Sequence, residues 1–315
     1  MEHGSRPAGE RVNFAAVVVN PARVRGLRRL RELCERAADS CGWAQPWFLR
    51  TTSSDPGTGA ARSAIEAGAQ LVIAVGGDGT VHACTQALAG TPVPLAIVPS
   101  GTANLTARAL RLPGRADAAL AVAFGGRSAR IDLAMADGTW FTAMAGIGLD
   151  AAIVAATPAA AKRLAGWPSY AGAALGQLLR PPATFTVRLD AGEPLIRRAR
   201  SVTVGNSGAL PGGVPIMPAA RLDDGLLDVV ILAPQGLPGW VRIGARVVRR
   251  SGKDDRQLER HRASVVEISA DADLPRQVDG EVIAAGRSLT ASVRPGALLV
   301  RVPGGSAASR AWPAG

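Results

Sequence analysis

A glycine-rich turn that follows an apolar stretch is the feature of this sequence with the clearest capacity for chemistry. The apolar run Leu71–Val75 leads directly into the sequence GGDGT at Gly76–Thr80. A buried strand that ends in glycines and continues into a helix presents free backbone N–H groups to an anion such as a phosphate. Asp78 adds a carboxylate able to orient a hydroxyl or a metal-bound water, and Thr80 can cap the helix or touch a phosphate oxygen. An ordinary strand-to-helix turn is the alternative, but three glycines in five positions favour a phosphate-binding loop.

A second glycine turn follows the next apolar run. Leu95–Val98 leads into Pro99–Asn104, whose sequence PSGTAN precedes another helical pattern. The carboxyl ends of parallel strands share one edge of a sheet, and ligands of open α/β folds bind at that edge. The turn at Asn20 and the threonine Thr52 follow two further predicted strands. We expect these turns to contribute to one nucleotide pocket.

Strands and helices alternate through the first part of the chain, which is typical of βαβ units and a mostly parallel sheet. After about residue 130 the pattern changes to short predicted strands separated by turn signals, which favours a β-sandwich-like unit. The sequence therefore predicts an α/β fold with two domains, residues 12–138 and 139–302. The ends at 1–11 and 303–315 are predicted to be disordered tails.

The second domain is predicted to hold two helices among its short strands. The helical patterns lie at Ala151–Leu179 and Trp240–Arg262, and the last two predicted strands at Glu281–Ile283 and Leu298–Val302. Arginine recurs through the Trp240–Arg262 stretch together with apolar residues. A basic amphipathic helix of this kind can lie on anionic lipid, and a solvated helix packed on the sandwich is an equal alternative.

The charge balance favours an anionic partner. The 315 residues include 36 basic and 25 acidic side chains, which gives a net charge of +11. Such a charge suits nucleic acid, a phosphate-bearing ligand or an acidic membrane surface. Only 4% of the residues are aromatic, too few for the stacking platforms of single-strand binding, so no specific nucleic acid is expected. Because only two of the basic residues are lysines, genome composition is an alternative source of the arginine excess.

Scarce cysteine and histidine exclude several kinds of site. Three cysteines without a CxxC pair argue against a zinc ribbon, and three histidines leave few candidates for a histidine metal site or triad. Gly146–Ala151 fits the dinucleotide fingerprint, but no acidic residue occurs in 151–189, so a packed strand-to-helix turn is favoured. With no signal pattern at the start and no convincing membrane span, we expect a cytoplasmic protein, peripheral attachment to the inner membrane surface remaining open.

Several motifs together resemble one family. The GGDGT of Gly76–Thr80 and the GTAN of Gly101–Asn104 are similar to the catalytic domain shared by diacylglycerol kinases, sphingosine kinases and their bacterial lipid-kinase relatives. LDDGLLD at Leu222–Asp228 and QVDGE at Gln277–Glu281 resemble the second-domain pattern and the closing DGE motif of that family. The matches follow the family's order over roughly residues 13 to 302. The resemblance implies an NAD kinase-like α/β domain followed by a β-sandwich-like domain.

The resemblance implies a carboxylate base. Phosphoryl transfer to an alcohol needs neutralised phosphate charge, aligned reactants and a carboxylate that accepts the hydroxyl proton. The DGE motif would supply this base as Asp279 or Glu281, and Asp78 is a further candidate catalytic carboxylate. A hairpin turn with solvated charges is the alternative for Asp279 and Gly280.

The resemblance also implies a structural Mg²⁺ site in the second domain. Its ligands would be the Asp224 carboxylate and the main-chain carbonyls of Arg221 and Leu226. An all-oxygen set suits a hard divalent cation. A turn before the strand at Leu227 is the alternative, and it is compatible with metal binding because a turn aims carbonyls inward.

The implied nucleotide site binds ATP through residues of four turns. These residues are Asn20, Thr52, Gly76, Gly77, Asp78, Gly79, Thr80, Val81, His82, Thr102 and Asn104. The chain departs from the family's pattern at His82 and Ala83, where Asn-Glu is frequent, and at Ala22, where glycine is frequent. Arg23 or Arg25 would then hold part of the phosphate charge.

We therefore expect an ATP-dependent, Mg²⁺-using lipid kinase that transfers the γ-phosphate to a hydroxyl of diacylglycerol or a related membrane lipid or long-chain base. One alternative is a kinase of the NAD kinase or phosphofructokinase type with a soluble acceptor. Another is a non-catalytic, basic lipid-binding module. The expected partner is a lipid substrate at the membrane surface, and a homodimer is left open.

Overall fold

The first part of the chain folds as a parallel α/β unit. The computed structural model describes residues 13–24, 26–156, 181–207, 209–210, 214–248 and 256–304. The elements of the first unit are β1 (Ala15–Val19), α1 (Leu27–Ser40), β2 (Trp47–Arg50), α2 (Thr58–Glu66), β3 (Leu71–Gly76), α3 (Asp78–Leu88), β4 (Leu95–Pro99), α4 (Leu105–Ala109) and α5 (Ala116–Gly125).

Both faces of this parallel sheet are covered by helices. The strand order is β4-β3-β1-β2, and every neighbouring pair is parallel. All residues of β1 and β3 are buried, because α1 and α5 pack on one face and α2 and α3 on the other. All four strands therefore end at the same edge, where the predicted turns follow them.

The second part of the chain is β-rich. Its elements are β5 (Arg127–Ala136), β6 (Thr139–Phe141), β7 (Met144–Gly148), α6 (Leu149–Ala156), β8 (Ala183–Leu189), β9 (Leu195–Ala199), β10 (Ser201–Gly205), β11 (Ala209–Leu210), β12 (Val214–Pro215), β13 (Leu227–Leu232), α7 (Gly236–Val248), β14 (Leu258–Ala263), β15 (Val265–Val278) and β16 (Glu281–Val302). Strands from β5 to β16 direct apolar side chains such as Phe141, Ile147 and Phe185 into one shared core. This confirms the predicted β-sandwich-like unit.

One long strand joins the two units. β16 pairs antiparallel with β15 and β5, and Val300 pairs in parallel with Leu95 of β4. The two short strands predicted at Glu281–Ile283 and Leu298–Val302 are therefore wrong as separate elements. Pro295 and Gly296 lie at an irregularity in the β16–β5 register between Arg294 and Leu298. As a result, strands of both units form one fourteen-stranded sheet within the described residues.

The predicted helix at Trp240–Arg262 is only partly correct. α7 ends at Val248, and β14 is an edge strand that pairs antiparallel with β13. Pairing with β13 overrides the helical spacing of the arginines, because strand formation depends on neighbours that the local pattern does not contain. Residues 249–255 between the two elements lie outside the described part.

Other expectations fall partly outside the described residues. The predicted helix at Ala151–Leu179 begins as α6, and residues 157–180 are not among those described. The predicted tails lie outside as well, apart from residues 303 and 304. Among the helices of the described chain, none has the length and apolar character needed to cross a membrane.

Candidate active site

The two predicted glycine turns pack against each other through their backbones. A Cβ atom added to Gly101 would lie 2.5 Å from the Gly77 Cα atom, closer than any side chain tolerates. Ser100 N–H donates to the Gly76 carbonyl at 2.9 Å, which fixes the offset of the two turns. The sequence pairs these turns because close backbone approach requires glycine on both sides.

The glycines of the first turn differ in the space around them. A Cβ at Gly76 would meet Thr80 Oγ1 at 2.5 Å, so this position is closed by packing. A Cβ at Gly79 would meet only Glu281 Oε1, at 3.7 Å, and Gly79 is exposed. The amides of Asp78 and Gly79 begin α3 and have no carbonyl one turn earlier within the helix. The start of α3 is thus an uncrowded surface of positive potential that suits a phosphate.

Asp78 and Asn104 connect the two turns. Asp78 Oδ1 accepts the Leu105 N–H at 2.6 Å. Burial raises the pKa of the Asp78 carboxyl, and the charge of the nearby Asp279 raises it further. Hydrogen bonds from the amides of Leu105 and Asn104 lower the pKa but only partly offset this rise. Asn104 has a positive φ of 47° and its side chain bonds both the N–H and the carbonyl of Gly101. Both side chains therefore maintain the shape of the turns.

Asp279 lies in the β15–β16 turn and is held by the start of the second unit. Its carboxylate accepts the N–H groups of Thr142, Ala143 and Met144 at 2.9, 2.8 and 3.1 Å. The side chain is only 5% exposed. Asp279 and Gly280 have φ values of 48° and 80°, the left-handed pair of a tight hairpin turn. The Asp279 carboxylate is thus fully engaged in anchoring this turn.

His82 links the turn of Asp279 to α3. His82 Nδ1 lies 3.2 Å from Asp279 Oδ2, and His82 Nε2 lies 3.2 Å from Gln86 Nε2. Gln86 is oriented by Trp140, whose carbonyl accepts from Nε2 at 2.6 Å and whose N–H donates to Oε1. Gln86 therefore donates to His82 Nε2, which leaves Nδ1 to donate to Asp279. Burial lowers the pKa of His82, but the hydrogen bond and charge of Asp279, with the charge of Glu281, raise it overall.

These elements enclose a cleft of about 340 Å³ between the two units. The residues that line it come from the turns after β1, β3, β4 and β15, with Pro56: Asn20, Arg23, Pro56, Gly77, Asp78, Gly79, Thr80, Gly101, Thr102, Ala103, Leu105, Asp279, Gly280 and Glu281. Glu281 is exposed and faces Gly79 across the cleft. The cleft combines free amides and the Arg23 guanidinium, which can stabilise phosphate charge, with one exposed carboxylate, which can accept a proton. Phosphoryl transfer requires groups of these kinds.

Some predicted nucleotide residues do not line this cleft. Thr52 forms a tight turn, in which its hydroxyl accepts the Asp55 N–H at 2.9 Å, and the Val81 side chain is buried in the core. Gly76, His82 and Asn104 are also not among the residues that line the cleft. Arg25, the alternative to Arg23, lies outside the described residues.

Other functional contacts were missed by the sequence. The amides of Thr142, Ala143 and Met144 that hold Asp279 left no side-chain signal, because any residue type supplies a backbone N–H. Gln86 was detectable only through its spacing, since it stands one helical turn after His82 on α3.

The predicted Mg²⁺ ligands lie apart from the residues that line the cleft. Asp224 Oδ1 accepts the Leu226 N–H at 3.1 Å, and Asp224 Oδ2 contacts Nη2 of Arg262. Both oxygens of the Asp224 carboxylate therefore already have protein partners, and one of these partners is a positively charged guanidinium that would repel a cation. Within the described part of the chain, no three histidine, cysteine or acidic side chains are grouped to hold a metal. The residues at this turn do not fit a divalent cation.

Comparisons with known families agree with this architecture. A model of the diacylglycerol kinase catalytic domain matches residues 15–136. A model of the YegS C-terminal NAD kinase beta sandwich-like domain matches residues 143–302. Together the two models span both units, and they confirm the predicted fold class.

Solved structures show the same fold at low sequence identity. A diacylglycerol kinase from Bacillus anthracis str. Sterne superposes with a TM-score of 0.71 at 22% identity, covering 93% of this chain and 98% of that one. An NAD kinase from Archaeoglobus fulgidus, solved in complex with ATP, gives a TM-score of 0.50 at 13% identity, covering 91% and 93%. These likenesses concern the fold alone.

Sequence relatives are closer. A protein named "Probable lipid kinase YegS-like" from Pseudomonas aeruginosa (strain UCBPP-PA14) is 36% identical over 257 residues, covering 77% of this chain and 80% of the relative. A protein of the same name from Pseudomonas fluorescens is 33% identical over 274 residues, covering 85% and 90%. With both domain models matched in order and identities of this size over most of the sequence, the chain belongs to the YegS-like lipid kinases, which carry the diacylglycerol kinase catalytic domain.

Proposed function

We propose that this lipid kinase transfers the γ-phosphate of ATP to a hydroxyl of diacylglycerol or a related membrane lipid or long-chain base. The observation that carries the proposal is the contrast between two acids at the same turn. Asp279 is saturated by three amides and His82, whereas Glu281 is exposed and faces the open loop at Gly79.

The loop after β3 is suited to the phosphates of the nucleotide. The amides at the start of α3 offer hydrogen bonds without a competing side chain at Gly79. Arg23, which also lines the cleft, adds a positive charge. Thr102 is exposed in the neighbouring turn and supplies a hydroxyl. A divalent cation carried in with the phosphates would neutralise part of their charge.

Glu281 is the group best placed to act as the base. Its carboxylate takes the proton from the acceptor hydroxyl while that oxygen attacks the γ-phosphorus and the bond to the ADP oxygen breaks. The proton ends on Glu281, the phosphoryl group on the lipid oxygen, and ADP leaves. Asp279 acts as a positioning residue, because its bonds to the second unit fix the turn that carries Glu281.

Contact with the membrane surface is part of the proposal. Val241 on α7 is 68% exposed beside the exposed Arg242, and the chain has a net charge of +11. An exposed apolar side chain next to a cation suits an acidic lipid surface.

The test is a transfer assay with purified protein, labelled ATP and Mg²⁺. Its acceptors are diacylglycerol, other hydroxyl lipids and a long-chain base in mixed vesicles, with NAD and fructose 6-phosphate as soluble acceptors. We expect a labelled lipid product that depends on Glu281. A labelled soluble product instead would move the protein to the alternative kinase class, and ATP-independent vesicle binding without any transfer would favour a binding module.

A further inference from the structure

The turn between Leu222 and Asp228 is fixed by protein groups on several sides. Gly225 has a φ of 70°, and its N–H donates to Asp132 Oδ2 at 2.7 Å. The other oxygen of Asp132 accepts the Gly296 N–H at 2.8 Å. Asp132 is 4% exposed, so one buried carboxylate holds this turn against the irregular part of β16.

Arg262 is placed at this turn by the backbone register. In the antiparallel pair of β13 and β14, Arg262 is the direct partner of Asp228. Directly opposed residues bring their Cβ atoms within about 5.5 Å, whatever their rotamers. Arg262 Nε lies 3.8 Å from Asp228 Oδ2, and its Nη2 contacts Asp224 Oδ2. One guanidinium therefore serves two carboxylates.

The two carboxylates need a cation. Asp228 is only 4% exposed, and its carboxylate shares the Arg262 guanidinium with that of Asp224. Two acids of like charge this close repel each other unless a positive group stands between them. Arginine suits the position because its planar group offers five donors and stays charged.

We propose that Arg262 takes the place of a divalent cation at this turn, so that the second unit is ordered without bound metal. Mg²⁺ requires near-octahedral oxygen ligands at about 2.0–2.1 Å and gives up water reluctantly. A guanidinium on the same carboxylate oxygen both blocks that position and repels the ion. The proposal goes beyond the lipid kinase activity and does not rest on it, because it concerns folding in the absence of nucleotide.

The test measures thermal unfolding of the full, nucleotide-free chain in EDTA and in millimolar Mg²⁺ or Mn²⁺. We expect the same Tm for the wild-type protein in all three conditions. A wild-type Tm that falls in EDTA and recovers with Mg²⁺, with the recovery lost in Asp224→Asn, would overturn the proposal. This arm needs no variant of Arg262, so it stands even where such a variant does not fold.

A second arm of the test removes the guanidinium and offers a metal ion in its place. Arg262→Gln should lower Tm by roughly 2–4 °C, and Mg²⁺ or Mn²⁺ should restore part of the loss, because the vacated carboxylates then accept a metal. Restoration should vanish in the double variant Arg262→Gln/Asp224→Asn. No restoration by either ion in Arg262→Gln would contradict the claim that the guanidinium stands in a cation's place.

The matched control is Arg221→Gln. Arg221 pairs with Asp223 on the same turn at 3.0 Å, so this change removes a neighbouring arginine without freeing Asp224. Its carbonyl, one of the predicted metal ligands, stays in place. We expect no metal-dependent Tm in this variant, and a metal response equal to that of Arg262→Gln would count against the specific role of Arg262.

Discussion

At the scale of single residues, the two acids of the 279–281 turn differ through their neighbours. Asp279 points to the second unit, where three amides and His82 surround it. Glu281, two positions later, is exposed at the cleft. A buried carboxylate with every lone pair occupied stabilises a fold, whereas an exposed one is free to exchange a proton.

Exchanging these acids for their amides should separate catalysis from stability. Glu281→Gln should lower kcat by roughly 10²- to 10⁴-fold with an unchanged Tm, because it removes only the proton acceptor. Asp279→Asn should cost about 1–3 kcal/mol of unfolding free energy, because its amide cannot accept all three N–H groups. Steady-state kinetics and denaturant unfolding measure the two effects. The same kcat loss in both variants, without any stability difference, would contradict this division.

The contact between Gly77 and Gly101 leads to a second residue-scale prediction. Gly101→Ala places a Cβ 2.5 Å from the Gly77 Cα, so the turns must separate and stability should fall by about 1–3 kcal/mol. ATP affinity should fall with it, because the α3 amides move. Gly114→Ala is the control, since an added Cβ there meets nothing within 4 Å. Calorimetric ATP titration and unfolding should leave the control unchanged; equal effects in both would contradict the packing argument.

At the scale of elements, β15 carries a buried polar network next to the turn at Asp279 and Gly280. Gln277 Nε2 donates to Asp150 Oδ2 at 3.1 Å, and Gln277 Oε1 accepts the Gly280 N–H at 2.8 Å. Burial raises the pKa of the Asp150 carboxyl to about 6, although the bond from Gln277 opposes the rise. This network connects α6 to the turn that presents Glu281.

Asp150 should make stability depend on pH. Between about pH 4 and 6 the folded state holds a proton that the unfolded carboxyl has already lost, so stability falls as the pH rises through this range. Asp150→Asn keeps an acceptor for Gln277 but does not titrate. The fall of the unfolding free energy between pH 4 and 6 should therefore be smaller in this variant, by on the order of 2 kcal/mol. Urea unfolding from pH 4 to 8 measures it. Asp273→Asn, 65% exposed, is the control, and an unchanged slope in Asp150→Asn would refute the assignment.

At the scale of the whole molecule, β16 makes the two units dependent on each other. It begins beside Glu281 at the cleft, and its far end places Leu298 and Val300 in the core of the α/β unit. The cleft between the units is therefore held by a continuous strand, which restricts how far Glu281 moves from the glycine turn after β3.

Shared packing predicts a single unfolding transition. Leu298→Ala should cost about 2–5 kcal/mol and should shift the circular dichroism and tryptophan fluorescence curves together, because both units lose support. Ile196→Ala, at a position 64% exposed in β9, should shift neither. Two separated transitions in Leu298→Ala would show that the units unfold independently.

Much of the candidate site was predictable from local patterns. The apolar runs before Gly76 and Gly101 identified two strand ends. The glycines that follow these runs indicated that the backbone there lies close to another group. The helix expected at Trp240–Arg262 was wrong only beyond Val248, where Leu258–Ala263 forms a strand, and the strands expected at 281–283 and 298–302 proved to be one. Each error arose where pairing with a distant strand, β13 or β5, decides the conformation.

The sequence by itself determined the turns, because glycine, proline and aspartate restrict the backbone within a few residues of themselves. It also determined the family, because the motifs occur along the chain in the order typical of that family. Only the tertiary structure decided that Asp279 anchors while Glu281 is free, and that Arg262 stands on Asp224. The physical reason is that burial and ion pairing depend on strand register between residues far apart in sequence, 38 positions for Asp224 and Arg262 and 136 for Ala143 and Asp279, which no local spacing encodes.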